Sequence, residues 1–429
     1  MKITVLSDLH FGFGYDTELE EDAYEAAKEA LEKSSASEAD LILLGGDIFD
    51  TKIPKNETLV RAMELLMGPL SETPAVKLSE GVGKDITAIP RMALSGTPVI
   101  AIHGTHERRA KGLLNPVQML EKAGFILYLD CNGVVFQKGE EKVCVQGMSG
   151  VPDQHTEEAL REWGPKPVPG CVNILMLHQN LTEFMHEKVP HTLDISKLPK
   201  GFDFYVCGHI HETVKREHGS GLIILPGSLI PTQLTKDFEG AGFWQIDTSA
   251  KKVELVSLEN QRKIYVREFE ASKSGAEAIE KEMAEILKTE QSKKPIIRVK
   301  LKGRQTDLPL KSIEAKLGDK CILSFRKDFE KEELPQAKGM EEHKLSVDDM
   351  GRKLLRANLK EFKLDEKLFE SVFELLLEKK TDDVLTLLSS PVKLKSKALP
   401  EPQATISEES KPKEPQKQAV QWKQFLKSA

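Results

Sequence analysis

Histidines and carboxylates recur at the ends of apolar runs in this sequence. Of the 11 His residues, ten lie before residue 220, and several follow short segments rich in Val, Ile and Leu. These segments end in the motifs SDLH, GGDIFD, HGTHE, LHQN and GHIH. The side chains concerned are Asp8, His10, Asp47, His103, His106, His178, His209 and His211. Because the loops beyond the carboxyl ends of strands in an α/β sheet face one crevice, these side chains can converge there.

Such a group of ligands predicts a metal site. Imidazole and carboxylate groups without a thiolate suit divalent ions such as Mn²⁺, Fe²⁺ or Zn²⁺, and the set is large enough for two ions bridged by one Asp. Two metal ions about 4 Å apart can activate a water and stabilise both the attacking and the leaving oxygen of a phosphate ester. We therefore predict phosphoester hydrolysis.

The motifs differ in how specific they are. DxH after a strand and Gly-Gly-Asp are ordinary turn sequences. GHIH is more specific, because alternate residues of a strand point to the same side and two histidines there need something to bind. His103 is expected on a strand just before a turn, in a structural role. All five motifs in this order, rather than any one of them, support the metal site.

The elements that must position these side chains belong to an α/β domain. From Met1 to about Ser257, short apolar runs alternate with helical patterns, such as an acidic helix near residues 20–34. The runs are ITVLSDLH, DLILLGGDIF, TPVIAIHG, KVCVQGMS, VNILMLHQ, FDFYVCGHIH and GLIILPGS. Their length and their turn-like flanks favour buried strands over buried helices.

Composition excludes several classes of protein. The chain has 429 residues, 39% hydrophobic and 30% charged, which indicates a globular protein of roughly two to four domains. No run approaches the roughly 18 uncharged apolar residues of a membrane span, so we expect a soluble, cytoplasmic protein. Five scattered Cys residues without a CxxC pair predict neither a disulfide framework nor a structural zinc site. Because the net charge is −7, local basic patches or metal ions must hold any polyanionic partner.

The pattern changes after residue 262. Residues 263–335 show strand, helix, strand, helix and strand patterns in turn, which predicts a small α/β domain. Residues 336–345 are polar and are interpreted as a linker, and residues 391–429, rich in Pro, Lys, Glu, Gln and Ser, are expected to be disordered. In this tail Trp422, Phe425 and Leu426 are spaced as one face of a helical turn. A short docking motif and a few stray apolar residues explain them equally well.

Residues 346–390 have a purely helical pattern. Apolar residues recur at helical spacing in two stripes, which are Met350, Leu354, Leu355, Leu359 and Phe362, and then Leu368, Phe369, Val372, Phe373 and Leu376. About 45 residues in short helices cannot bury so many Leu and Phe side chains by themselves. We expect these stripes to pack against a partner surface.

Taken together, the motifs resemble those of a known superfamily. DLH from Asp8, GDIFD from Gly46, GTHE from Gly104, HQN from His178 and GHIH from Gly208 are similar to the DxH, GDxxD, GNH[DE], H and GHxH motifs of calcineurin-like metallophosphoesterases. Within that superfamily, the LHQN and CGHIH segments, the small α/β domain and the helical C-terminal segment resemble the DNA double-strand-break repair nucleases of the meiotic-recombination-eleven/SbcD family. The resemblance covers essentially residues 1–390.

The resemblance implies a fold. It is an α/β, four-layer metallophosphoesterase sandwich, in which two mixed sheets are flanked by helices, and it spans residues 1–262. Residues 263–335 would form a small α/β capping domain that guides DNA, and residues 346–390 a helical segment that binds a partner.

The resemblance also implies roles for the motif residues. Asp8, His10, Asp47 and His211 would hold one metal ion, and Asp47 would bridge to a second ion held also by His178 and His209. His106 matches the family's catalytic His, which is not a metal ligand. It would protonate the leaving oxygen or stabilise the pentacovalent phosphate, which an imidazole with an ordinary pKa of about 6.5 can do near neutrality.

Two residues depart from the family's pattern. The Asn metal ligand of GNH is Thr105 here, and a hydroxyl is a shorter and weaker ligand than an amide carbonyl. Where close relatives have a His three residues after the bridging Asp, this chain has Asp50, so a second role for His is missing. These departures leave open a slower enzyme or a different metal preference.

Contacts with DNA and with a second subunit are further expectations. Arg108, Arg109 and Lys111 can touch DNA phosphates, although neutralising nearby acids such as Glu107 explains them equally well. The residues of an apolar helical stripe, Leu59, Met63, Leu66 and Met67, match the family's dimer helices, which form a four-helix bundle. Packing into the domain's own core is the alternative.

The leading hypothesis is a dimeric, Mn²⁺-dependent DNA nuclease that processes double-strand breaks. The family's activities are 3′ to 5′ exonuclease and single-stranded endonuclease, and residues 346–390 would bind the coiled coil of a radiation-fifty/SbcC-type ATPase, in association with the nucleoid. One alternative is a phosphodiesterase of small nucleotides, which would not require the extra α/β domain. Another is a non-catalytic scaffold that binds DNA ends, if the departures at Thr105 and Asp50 have abolished binding of the second metal ion.

Overall fold

The computed structural model describes residues 1–329, except 111, 186–188, 239, 272–274, 290 and 304–307, together with residues 369, 371 and 372. It groups Met1–Glu333 into one compact unit. No helix in these ranges is long and apolar enough to cross a membrane. The predicted linker 336–345 and tail 391–429 lie outside the described residues, and so does the helical segment 346–390 apart from the helical Phe369, Ser371 and Val372.

Two mixed β-sheets form the centre of the unit. The first has six strands in the order β13 (Lys252–Ser257), β12 (Gly242–Asp247), β1 (Lys2–Leu6), β2 (Leu41–Leu44), β4 (Val99–Ala101) and β5 (Leu127–Tyr128). The second has seven strands in the order β10 (Val214–His218), β11 (Gly221–Leu225), β9 (Phe204–Gly208), β8 (Val172–His178), β7 (Glu141–Met148), β6 (Asn132–Lys138) and β3 (Lys77–Val82). The central strands of both sheets pair in parallel, whereas the outer pairs β12–β13, β10–β11 and β3–β6 are antiparallel.

Helices cover the outer faces of both sheets. They are α1 (Glu20–Ala36), α2 (Asn56–Leu70) and α3 (Pro116–Lys122) on the first sheet, and α4 (Asp153–Trp163) on the second. One buried apolar cluster lies between the helices and the first sheet, a second between the two sheets, and a third between the second sheet and α4. The predicted α/β fold, with two mixed sheets flanked by helices, is confirmed.

The central strands are buried on both faces. All four residues of β2 (LILL) are inaccessible, because α1 and α2 pack on one side and the second sheet on the other. The face that α1 presents to this layer consists largely of alanines, which allow the helix to lie close to the sheet. Because β1, β2 and β4 are parallel, and so are β8 and β9, the loops that follow the strands of each set leave its sheet at one edge.

A third sheet follows in the chain. Its strands β14 (Ile264–Glu270), β15 (Ile296–Gly303) and β16 (Ile322–Phe329) are all parallel, with α5 (Ala276–Ile286) and α6 (Leu310–Leu317) as the crossovers. It has an apolar core of its own, which includes Ile279, Ile297 and Ile313. This order matches the predicted strand–helix–strand–helix–strand pattern. The described residues of 264–329, strands and helices together, are called the capping sheet below, after the role that the resemblance implies.

Candidate metal centre

Five loops at the ends of parallel strands carry the candidate ligands. Asp8 and His10 follow β1, Asp47 follows β2, Thr105 and His106 follow β4, His178 ends β8, and His209 and His211 follow β9. Four of these side chains, Asp8, His10, Asp47 and His178, are no more than 1% exposed. Because burying charged and polar groups costs free energy unless they are paired, such a buried cluster requires a partner.

Four of the loop residues have left-handed backbone angles. The angle φ is 53° at Asp8, 50° at His10, 47° at Asp47 and 82° at His209. Each such residue costs about 1–3 kcal/mol and persists only where the surrounding structure holds it. Strained backbone therefore concentrates at the predicted site.

Two of the histidine predictions need correction. Strand β9 ends at Gly208, so His209 and His211 do not lie on a strand. Their positions depend on the left-handed turn at His209 and not on the alternation of side chains along a strand. Strand β4 ends at Ala101, so His103 also lies beyond its strand. The Nδ1 atom of His103 is 2.8 Å from the buried Tyr128 hydroxyl, and burial lowers the pKa of His103 to about 4. His103 therefore lies in a buried polar network that includes Tyr128.

The first cluster consists of Asp8, His10 and His211. The Nε2 atoms of His10 and His211 lie 3.3 Å apart, and His211 Nε2 lies 3.4 Å from Asp8 Oδ1. One ligand atom from each residue falls within 4.8 Å of the others. Two imidazole nitrogens that face each other beside a carboxylate oxygen form a donor set that suits one divalent cation.

The second cluster consists of Asp47, His178 and His209. His178 Nδ1 lies 2.7 Å from the Gly45 carbonyl oxygen and donates to it, which directs Nε2 towards Asp47 Oδ2 at 3.2 Å. The ligand atoms again lie within 4.8 Å of one another. Asp47 also groups with His10 and His106, so it lies between the two clusters.

Close approach at this cluster depends on two glycines. A Cβ atom on Gly104 would lie 2.1 Å from Asp47 Oδ1, and one on Gly46, where φ is 101°, would lie 2.4 Å from His178 Nδ1. No side chain fits at either position without displacing a candidate ligand. The glycines of GGD and HGT therefore serve the site directly as well as the turns.

Buried atoms without hydrogen-bond partners test whether metal ions fit. Within the described part of the chain, Asp8 Oδ1 and His178 Nε2, which face the two clusters, are buried and form no hydrogen bond of normal geometry, although His211 Nε2 lies 3.4 Å from the first and Asp47 Oδ2 lies 3.2 Å from the second. Both atoms belong to residues that the clusters contain. A buried acceptor left unsatisfied costs about 1–3 kcal/mol, which a bound cation would offset. The donor set of each cluster fits a divalent cation, and Asp47 lies between the two clusters.

Charges inside the cluster shift the pKa values in opposite directions. Burial would lower the pKa of His178, but the Asp47 carboxylate, with the help of Asp8, raises it to about 9. Burial and the nearby charge of His178 lower the pKa of His209 to about 4. Burial would raise the pKa of Asp47, yet His178 and the His106 backbone amide hold it far below its usual range. The metal-free site therefore contains an anionic Asp47, a protonated His178 and a neutral His209 at pH 7.

The affinity of the second cluster for Mn²⁺ should rise with pH. Only a neutral imidazole binds metal, so below a pKa of about 9 an ion must displace a proton from His178. The dissociation constant should fall about tenfold per pH unit between about pH 7 and pH 9, and His209 adds no step there because its pKa is about 4. Calorimetry in buffers of different ionisation enthalpy measures the proton released. A binding heat that does not depend on the buffer would contradict the prediction.

His106 lies at the exposed side of the clusters. Its backbone amide donates to Asp47 Oδ1 at 2.9 Å, and its ring Nδ1 lies 2.8 Å from the Asp50 carbonyl oxygen. The ring is 43% exposed and packs edge-on to the ring of His10, with 4.9 Å between centroids. With Nδ1 donating to the carbonyl, Nε2 is free to exchange a proton with a group bound at the site.

Thr105 faces Asp47 rather than open solvent. Its Oγ1 lies 3.2 Å from Asp47 Oδ2 and is in position to donate to it. The hydroxyl thus reaches the second cluster at the position where the resemblance implies an Asn ligand. Whether it binds metal stays a prediction, as do the ligand roles of the other residues.

Two residues in the motifs have contacts that the sequence did not predict. Asp50 Oδ1 lies 3.3 Å from His10 Nδ1 and 3.5 Å from His106 Nδ1, so one carboxylate faces both rings. Glu107 is fully buried, and its two oxygens accept the amides of Phe49 and Gly104 at 2.8 Å. Burial and the nearby Asp47 raise the pKa of Glu107 to about 8. Through these hydrogen bonds Glu107 links the loop that follows β2 to the loop that follows β4.

Replacement of Asp50 by Asn should lower the turnover number about tenfold and also raise the dissociation constant of the first cluster for Mn²⁺ about tenfold, because the carboxylate faces His10 Nδ1. The amide loses the charge that attracts both imidazole rings, whereas the bond from His106 to the Asp50 carbonyl remains. Steady-state kinetics and Mn²⁺ dialysis on the same preparation separate the two effects. A variant with wild-type turnover would show that the carboxylate does not orient the rings.

The predicted DNA and dimer contacts have mixed outcomes. Arg108 and Arg109 are partly exposed in the loop after His106, and Arg109 Nη1 lies 3.4 Å from the Leu114 carbonyl, whereas Lys111 lies outside the described residues. Leu66 is 3% exposed in the domain's own core, so the dimer prediction is wrong for this residue. Leu59 and Met63 pack partly against the same core, and only Met67 of the four is exposed.

The chain is similar in sequence to known proteins. The family model described as calcineurin-like phosphoesterase matches residues 1–213. The double-strand break repair protein mre-11 of Caenorhabditis elegans is 26% identical over 273 residues, which cover 55% of this chain and 38% of that protein. MRE11 of Arabidopsis thaliana is 28% identical over 275 residues, which cover 54% of this chain and 38% of that protein. The DNA double-strand break repair protein Mre11 of Sulfurisphaera tokodaii is 26% identical over 315 residues, which cover 71% of this chain and 74% of that protein. The chain thus spans less than half the length of the two eukaryotic relatives.

Proposed function

We propose that the protein is a metal-dependent DNA nuclease that processes double-strand breaks, because the family model described as calcineurin-like phosphoesterase matches residues 1–213. The activities proposed are 3′ to 5′ exonuclease and single-stranded endonuclease, with two divalent ions, Mn²⁺ in particular. One observation carries the proposal: the cluster of Asp8, His10 and His211 and the cluster of Asp47, His178 and His209 lie at the ends of parallel strands, and Asp47 also groups with His10 and His106. The names of the relatives supply the class of substrate.

The ligand roles follow from the two clusters. Asp8, His10 and His211 would hold one ion and His178 and His209 the other, with Asp47 between them and Thr105 at its side. When bound, the ions supply a Lewis acid for a phosphate oxygen and a nucleophilic water at neutral pH. The protein contributes rigid ligands, because the candidate residues are held by strained turns and by buried glycine contacts.

His106 would act on the leaving group. Its ring is fixed through Nδ1 by the Asp50 carbonyl, and 43% exposure leaves Nε2 accessible from the solvent side. Scission of a phosphodiester leaves an alkoxide that needs a proton, and an imidazole within hydrogen-bond reach can donate it. We propose this donation as the role of His106.

DNA would approach over the loop that follows His106. The chain is acidic overall, with a net charge of −7, so phosphates must be held by local cations. Arg108 and Arg109 are partly exposed in the loop next to His106, and Lys111 belongs to it by sequence. These three residues are the proposed phosphate contacts.

The partners belong to the same proposal. Residues 346–390 would bind a radiation-fifty/SbcC-type ATPase, and Trp422, Phe425 and Leu426 would add a short docking motif. A second copy of the chain would pack against the exposed side of α2, near Met67. The complex would act at the nucleoid in the cytoplasm.

A cleavage assay on several substrates tests the function. End-labelled duplex DNA, single-stranded DNA, a cyclic dinucleotide and a phosphodiester of a nitrophenol are incubated with Mn²⁺ and with EDTA. We expect Mn²⁺-dependent cleavage of both DNA substrates. Hydrolysis of the cyclic dinucleotide alone would favour a small-nucleotide phosphodiesterase, and DNA binding without hydrolysis of any substrate would favour a non-catalytic scaffold.

A further inference from the structure

One segment of chain, residues 231–238, connects the candidate metal centre with the capping sheet. Near its start, Thr232 Oγ1 lies 3.1 Å from His211 Nδ1. The other ring nitrogen of His211 is the one that faces Asp8 and His10. A hydrogen bond at Nδ1 fixes both the tautomer and the ring orientation of a histidine that binds metal through Nε2. Thr232 is therefore placed to control the first cluster without belonging to it.

The far end of the segment is fastened to the capping sheet. Phe238 and Ile264 exchange two backbone hydrogen bonds of 2.9 Å. Asp237 accepts the Val266 amide at 2.7 Å and pairs with Arg267 at 3.0 Å. These contacts join the segment to β14.

A further contact joins the segment to the next strand. Lys300 of β15 donates to the Thr235 carbonyl at 3.1 Å. Lys236 pairs with Glu212, the residue that follows His211. The short segment is thus held by two strands of the capping sheet at one side and by the metal-centre loop at the other.

We propose that Thr232 is a positioning residue for His211, and that the capping sheet holds it in place through residues 231–238. The affinity of the cluster formed by Asp8, His10 and His211 for a divalent cation then depends on contacts of the capping sheet. The inference rests on the proposed function, since it assumes that this cluster binds metal. It adds the capping sheet, beyond any contact with DNA, as a determinant of metal affinity.

Stability measurements alone would not reveal this role. The Asp237–Arg267 pair is solvent-exposed, with 47% and 29% of the side chains accessible, and exposed pairs stabilise a fold by about 0–1 kcal/mol. Its removal should therefore leave the thermal unfolding of the metal-free protein nearly unchanged. A change in metal affinity would then report on the position of His211 rather than on folding.

Equilibrium dialysis against Mn²⁺ measures the two sites separately in the full-length chain. Thr232→Val should raise the dissociation constant of one site about tenfold, whereas Thr232→Ser, which retains the hydroxyl, should change it less than twofold. His211→Ala identifies the affected site, because it should remove that site and leave the other.

The link to the capping sheet is tested at Asp237. Asp237→Ala should weaken the same site about threefold, and Asp237→Asn, which retains an acceptor for the Val266 amide, should weaken it less. The matched control is Asp328→Ala on β16, which removes an exposed partner of Arg326 on the strand farthest from the segment. The control should leave both dissociation constants within twofold of the wild type.

A double variant decides whether the two residues act along one route. If they do, the variant with both Thr232→Val and Asp237→Ala should bind Mn²⁺ no more weakly than Thr232→Val alone. Its dissociation constant should then be about tenfold above that of the wild type, whereas independent effects would raise it about thirtyfold. Wild-type affinity in Thr232→Val or in Asp237→Ala, or additive losses in the double variant, would overturn the inference while two Mn²⁺ ions still bind. A wild-type protein that binds no Mn²⁺ would overturn the proposed function as well.

Discussion

Asp47→Asn is expected to abolish cleavage of DNA, with a loss of about a thousandfold or more. The Asp47 carboxylate is 1% exposed, and it lies 3.2 Å from His178 Nε2 and 2.9 Å from the His106 amide. An amide in its place presents a donor to groups that need an acceptor and removes the carboxylate charge of the second cluster, which also groups with His10 of the first. Lewis-acid stabilisation by a metal ion amounts to several kcal/mol, and about 4 kcal/mol corresponds to a thousandfold change in rate.

Two measurements should change together in this variant. Cleavage of labelled duplex DNA should disappear, and the number of Mn²⁺ ions bound at low micromolar concentration should fall. Asp194→Asn is the matched control, because Asp194 is exposed and its carboxylate accepts the Ser196 amide at the start of a short helical turn. Retention of both ions and of activity in Asp47→Asn would exclude Asp47 as the shared ligand.

His106→Gln should lower the turnover number by about 10²–10⁴ and leave Mn²⁺ binding intact. The role proposed for His106 is general acid catalysis, which contributes a factor of this size. A glutamine amide can still donate to the Asp50 carbonyl, so the loop should keep its conformation. Single-turnover cleavage in the presence of saturating Mn²⁺ measures the chemical step.

A modified substrate tests the role more sharply. DNA with a sulfur atom at the leaving position needs little protonation, so the variant should cleave it at a rate close to that of the wild type. His155→Gln, at an exposed site on α4, is the matched control for the loss of an imidazole. An equally large defect on the sulfur substrate would show that His106 stabilises the phosphate instead of protonating the leaving group.

Local patterns in the sequence predicted the layered α/β fold and the residues that meet at the site. Asp8 and Asp47 lie two and three residues beyond the ends of β1 and β2, and His178 ends β8. All three strands are largely apolar, and parallel strands bring such ends together. The strands that were not predicted include β3, β10 and β13, where the pattern of burial is irregular or largely exposed. A half-exposed antiparallel strand gives a weaker signal than a buried parallel one.

Contacts between distant residues could not be predicted in the same way. Glu107 bonds the Phe49 amide 58 positions away, and Asp50 faces two rings from different loops. Such pairs depend on the three-dimensional arrangement of turns, which one sequence does not specify. Leu66 shows the converse error, because an apolar stripe has the same spacing whether it faces a partner or the chain's own core.

The left-handed turns at the ligands have a consequence for how long the protein survives in a cell. Four such residues together oppose folding by several kcal/mol, a large fraction of the stability of an ordinary domain. A cation that binds only the native chain offsets that penalty by mass action. The lifetime of the folded protein against heat and proteolysis should therefore rise with the concentration of divalent ions. A chelator would shorten that lifetime in addition to lowering the activity.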